Sequence, residues 1–150
     1  MATTSKRRLK HNDYSVAIIC PLVVEMNAVR YMLDEEHDEL PEKDGDPNKY
    51  IFGRMSELNV VIGYLPQGPQ GIGAAATVAT HMKRSFPSAR PRLLVGIGGG
   101  IPSATQDIRL GDVVVGIPHG EHGGVVQYDL GKETVTDFVR KGHLDKPPQE

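Results

Sequence analysis

The sequence predicts an α/β domain built on a largely parallel sheet, and three observations carry that prediction. Short apolar runs rich in β-branched residues recur along the chain. Segments with one apolar helical face lie between them. Glycine, 17 residues in all, gathers where those apolar runs end. Apolar strands alternating with helices are buried on both faces, which is the pattern of a parallel sheet covered by helices. In such sheets ligands sit beyond the carboxyl ends of the strands.

Each element follows in order. Tyr14 to Cys20, YSVAIIC, reads as a buried strand, and Pro21 breaks it. LVVEMNAVRYML then places Leu22, Met26, Val29 and Leu33 at helical spacing. The acidic stretch 34–46 lacks the alternating ligands and terminal Glu of a calcium loop and reads as a solvated connection. Tyr50 to Met55 and Leu58 to Leu65 form two strands joined by a tight turn at Ser56 and Glu57. A glycine-rich turn, PQGPQGIG, leads into the helix AAATVATHMKRSF. Arg92 to Ile97 is a further buried strand, ending in Gly98, Gly99 and Gly100. Asp112 to Pro118 and Gly123 to Tyr128 are expected as two more, and from Gly131 on no strand or helix is expected.

Composition narrows the function classes. A formal net charge of −2 gives no general attraction to nucleic acid. Aromatic residues make up 5% with no Trp, which disfavours base-stacking platforms. The lone cysteine, Cys20, excludes an internal disulfide and a thiolate zinc cluster, so a reducing, cytoplasmic setting is expected. No apolar run approaches the ~20 residues of a membrane span. Residues 1–13, with Lys6, Arg7, Arg8 and Lys10, read as a disordered basic tail ahead of a domain at 14–150. HGEH at His119 to His122 is not a zinc-protease pattern and reads as a polar loop, so neither a metal nor a cofactor is expected.

Two glycine turns and one carboxylate are the candidate site. VGIGGGI is not a clean dinucleotide fingerprint; it fits either a ligand turn or a place where sheet and helix pack closely. GPQGIGAAA precedes a helix but lacks the GK[ST] ending of a P-loop. Glu25 lies one turn beyond the first strand. Periodicity alone makes it an exposed helical Glu; at a strand end it could also serve as a general base on water.

AIICPLVVEMNAV, GIGAAATVA and LLVGIGGGIP with IRLGDVVVG, taken together, resemble the N-terminal half of the nucleoside phosphorylase and nucleosidase family. GGVVQYDLGK and KPPQ are similar to the phosphorylase-like domains at the front of fungal NACHT and ankyrin signalling proteins. The resemblance runs over about residues 14 to 149. It implies a three-layer α/β/α sandwich around a mixed, partly barrel-like sheet, of which this chain is an incomplete, N-terminal part. It implies a small-molecule nucleoside as partner, no nucleic acid or membrane, and homo-oligomers as in other members. Glu25 aligns with the glutamate that activates water in the nucleosidase branch. Leu22 falls near the sugar, Gly71, Ile72 and Gly73 match the turn beside the pocket, and Ile97, Gly98 and Gly99 match its wall.

Two departures qualify this. Where the bacterial-type phosphorylases carry an Arg and a Ser or Thr for phosphate, this chain has Leu94 and Ile97, whose side chains donate no hydrogen bond. The resemblance therefore implies hydrolysis, or binding without turnover, over phosphorolysis. The family's Glu-Met-Glu segment and catalytic Asp would lie beyond residue 150, so these residues alone are not expected to complete an active site. Asp107, Asp112 and Asp129 sit in no motif that matches that Asp.

Overall fold

The computed structural model describes residues 7–65, 68, 71–142 and 144–146. They fall into two compact units, Met1–Gly98 and Gly99–Glu150.

The first unit is α/β. Its elements are β1 (Val16–Cys20), α1 (Val23–Tyr31), β2 (Glu35–Glu36), β3 (Tyr50–Met55), β4 (Leu58–Tyr64), α2 (Ile72–Ser85) and β5 (Arg92–Leu94). They make a mixed five-stranded sheet in the order β2-β3-β4-β1-β5. β1 pairs parallel with both β4 and β5, with Ile18 opposite Ile62 and Leu93. β3 pairs antiparallel with β4 and β2. The sheet is thus parallel only around β1, because the two-residue turn at Ser56 and Glu57 forces a hairpin.

β1 is apolar throughout because both of its faces are covered. Val16, Ile18 and Cys20 pack with Val60 and Ile62 against Met26 and Val29 of α1. Ala17 and Ile19 pack with Phe52 and Val61 against Val78 and Met82 of α2. The period-2 alternation of β1 and β4 therefore sends neighbouring residues to different helices. The two crossovers also run in opposite directions, β1 to β4 and β4 to β5, over β1. Connections of one handedness then bring the two helices to opposite faces. Gly63 sits under α2, where a Cβ would meet Met82 Cε at 2.6 Å, so its missing side chain lets the helix approach.

The acidic connection is more built than a solvated loop. Asp34 Oδ2 accepts from Ser56 N at 2.6 Å and holds Ser56 at a left-handed φ of 50°. Glu35 and Glu36 add a short edge strand to β3. His37 is buried, with Nδ1 3.2 Å from the Tyr14 hydroxyl. Asp46 is buried as well: Oδ2 accepts from Tyr50 OH at 2.9 Å and from Ser85 Oγ, and Oδ1 accepts from Asn48 N at 3.1 Å. The segment straps the sheet edge to the end of α2. Of the basic N-terminal stretch, residues 1–6 lie outside the described residues. From Arg7 on the chain is docked: Arg7 O accepts from Asp38 N, Leu9 packs on the core, and His11 lies against Phe86.

The second unit departs from expectation. Asp112–Pro118 and Gly123–Tyr128 were expected as strands and form none. Val113, Val114 and Val115 are exposed and have no ladder partner; an apolar run supplies strand propensity, but a strand exists only against a neighbour. The regular structure lies instead in a hairpin of β6 (Gly131–Glu133) and β7 (Phe138–Arg140), in the polar region where none was expected. Thr134 caps its turn by exchanging hydrogen bonds with Asp137.

Candidate functional site

The site is built where β1 and β5 end. β1 stops at Pro21, and the chain turns into α1 with Leu22 as its N-cap. Leu22 has no side-chain acceptor, so the first turn is satisfied from the other direction. Glu25, at the third helical position, reaches back and accepts the Leu22 N–H at 2.7 Å through Oε2. This is the reciprocal half of a capping box. Its other oxygen, Oε1, accepts the Ile97 N–H at 2.8 Å, across 72 residues of sequence. The expectation from periodicity, an exposed glutamate, fails here: Glu25 is only 6% exposed. A buried carboxylate requires such donors, and two backbone N–H groups supply them.

Glu25 thus joins three of the expected positions, Leu22, Glu25 itself and Ile97. Leu22 and Ile97, whose N–H groups the carboxylate accepts, are both exposed apolar residues. Gly71, Ile72 and Gly73 lie at the start of α2, on the exit of β4, the strand that neighbours β1. Gly71 has φ 100°, a conformation suited to glycine, and Ile72 is exposed. Pro66, Gln67, Pro69 and Gln70 of that turn lie outside the described residues. A Cβ at Gly98 would meet nothing within 4 Å, and the same holds at Gly99, which belongs to the second unit. Leu94, one of the two positions that depart from a phosphate site, is exposed on β5.

Cys20 closes β1 beneath the site and is fully buried. Burial, and then the nearby charge of Glu25, push its thiol up to about 11, so it is a packing residue and not a nucleophile. A cavity of about 490 Å³ in this unit lies elsewhere, against the strap, lined by His11, His37, Asp46 and Tyr50 among others. His119 and His122 bond each other through their backbones, and no metal-holding group occurs among the described residues. Asp107 pairs with Arg109, and Asp112 accepts from the Arg109 N–H; both are engaged locally. Gly96 lies within VGIGGGI but has no role of its own in the sequence reading; a Cβ there would stand 3.1 Å from Glu25 Oε1. No signal in the sequence singled it out from its glycine neighbours.

Compared with known proteins, the chain is 45% identical over 143 residues to a protein of Hyaloscypha variabilis described as a nucleotide-binding leucine-rich repeat (NLR)-like protein. The match covers 93% of this chain and 14% of that protein, so the chain spans a small part of the relative. It is consistent with the fungal NLR-type signalling proteins. No family model matches the chain, and no solved structure matches it. The resemblance to the nucleoside phosphorylases is one of sequence motifs alone. No helix among the described residues is long and apolar enough to cross a membrane.

Proposed function

We propose that the cluster around Glu25 binds a nucleoside, preferably a purine nucleoside, and cleaves its N-glycosidic bond with water. The observation that carries this reading is the buried Glu25 carboxylate at the carboxyl ends of β1 and β5, fixed by the backbone N–H groups of two exposed apolar residues, Leu22 and Ile97. Glycosidic cleavage builds positive charge on the ribose, which a fixed carboxylate stabilises. Each oxygen of Glu25 uses one acceptor direction on the backbone and keeps another free to hold water. The exposed apolar side chains of Leu22 and Ile97 would pack against the sugar. Gly71, Ile72, Gly73 and Gly98 would line the rest of the pocket. Leu94 and Ile97 offer phosphate no side-chain donor, which favours hydrolysis over phosphorolysis. The leaving base also needs a proton, and no residue of this chain is assigned that role.

On this reading the helices on either face of the sheet belong to a three-layer α/β/α sandwich, and residues 14–150 form its first part. A cytoplasmic, homo-oligomeric protein goes with the same proposal. The test is release of free purine from adenosine and inosine, with and without inorganic phosphate, by the longest natural protein that carries these residues. Release without phosphate supports the reading; strict dependence on phosphate overturns it.

The NLR-like relative favours a second reading, a nucleoside-sensing module of a signalling protein that binds without turnover. Saturable binding of adenosine in the same experiment, with no purine released, is its signature.

A further inference from the structure

We infer that Gly96 is a positioning residue of this site: the absence of a side chain there lets the Glu25 carboxylate seat on the Ile97 N–H. The inference rests on the reading that Glu25 is the working carboxylate. A Cβ on Gly96 would lie 3.1 Å from Glu25 Oε1, 3.5 Å from Cδ and 3.7 Å from Oε2. The first distance is tighter than ordinary contact, so one partner must yield. Glu25 has little freedom to do so. Its Oε2 is held 2.7 Å from Leu22 N, and the residue is buried on a helix whose next residue, Met26, packs in the core. The bond that gives way is therefore the 2.8 Å contact between Oε1 and Ile97 N. Once it lengthens, both the carboxylate and the exposed Ile97 side chain lose their fixed places.

The neighbouring glycines sharpen the assignment. A Cβ on Gly98 meets nothing within 4 Å, and its φ does not lie in the left-handed region. Gly98→Ala is thus a matched control, with the same added methyl group two residues away. Of the glycines in this turn, the one that governs Glu25 is one to which the family resemblance assigns no role.

The experiment reads hydrogen exchange at the Ile97 amide of the ¹⁵N-labelled protein at fixed pH, beside purine release by the longest natural protein that carries these residues. In the wild type the Ile97 proton is expected downfield and protected, because it is bonded to Glu25 Oε1. In Gly96→Ala its exchange quickens about tenfold; in Gly98→Ala it stays within about twofold of wild type. Purine release in Gly96→Ala falls about tenfold in kcat with KM within about twofold, as for a reacting group displaced by less than an ångström. Protection of Ile97 in Gly96→Ala equal to wild type overturns the inference, as does an equal loss of that protection in Gly98→Ala. If Gly96→Ala does not fold, combining it with Glu25→Asp, whose shorter arm restores the space, should recover folding to the level of Glu25→Asp alone. A double variant that stays unfolded overturns the inference. A wild type that releases no purine removes the proposed function and leaves the amide test intact. An Ile97 amide that is unprotected in the wild type removes the positioning role whatever the turnover.

Discussion

Replacing Glu25 by Gln keeps the shape of the side chain and removes its charge. The carboxylate accepts two backbone N–H bonds, at 2.7 Å from Leu22 and 2.8 Å from Ile97. A hydrogen bond to a charged group contributes about 1.5–3 kcal/mol, against about 0.5–1.5 for a neutral one. Gln has a single acceptor oxygen, so it can serve one of the two N–H groups and turns its own NH₂ toward the other. One bond is lost and the other becomes neutral. The Ile97 end is only partly buried, where water recovers part of the loss, so the lower end of the range applies: about 2 kcal/mol. Urea unfolding followed by far-UV circular dichroism reads this directly. With a slope of about 2 kcal/mol per molar, the midpoint of the first unit's transition falls by about 1 M at unchanged slope. A Glu25→Gln midpoint within about 0.5 kcal/mol of wild type, the range of an ordinary surface substitution, would refute the claim that Glu25 clamps the exit of β5 to α1.

Three further outcomes follow from the same packing. Gly53→Ala places a Cβ 2.6 Å from the backbone oxygen of Glu35, so it should cost about 1–3 kcal/mol and release β2, seen as loss of amide protection at His37. Cys20, fully buried and with its thiol raised to about 11, should resist iodoacetamide at pH 8 in the native protein and react within minutes in urea. His37 is held below the ordinary histidine value of 6.5, chiefly by burial, so the unfolded chain takes up its proton before the folded one does. Stability is then full above pH 6.5 and falls as pH drops through that value toward the folded pKa. His37→Gln should flatten this loss between pH 7.5 and 5.5, His11 supplying the part that remains.

Local pattern made much of the first unit legible. The apolar run in YSVAIIC marks a strand covered on both faces, and Met26 and Val29 fall on the buried side of α1 as their spacing requires. β3, β4 and α2 follow their apolar runs to within a few residues. What periodicity could not supply is a partner. DVVVGIP has a strand's composition but forms no ladder, whereas the polar stretch GKE pairs with FVR through a capped turn. The acidic strap shows the same limit in reverse: His37 and Asp46 are buried because of Tyr14, Tyr50 and Ser85, residues far away in sequence. Leu22 sits in helical phase with Met26 but precedes the helix, so it stays exposed. Glu25 is the sharpest case. Its place after a strand made it a candidate, yet its burial depends on the Ile97 N–H, 72 residues downstream, which no local pattern contains.

Free purine measured by chromatography decides whether this carboxylate site hydrolyses a nucleoside. Adenosine is incubated in phosphate-free buffer with the longest natural protein carrying these residues, as wild type and as Glu25→Gln. The wild type should release adenine without stimulation by added phosphate, and Glu25→Gln should lose at least about a hundredfold in rate. No release by the wild type, or equal release by both proteins, would contradict hydrolysis at this site.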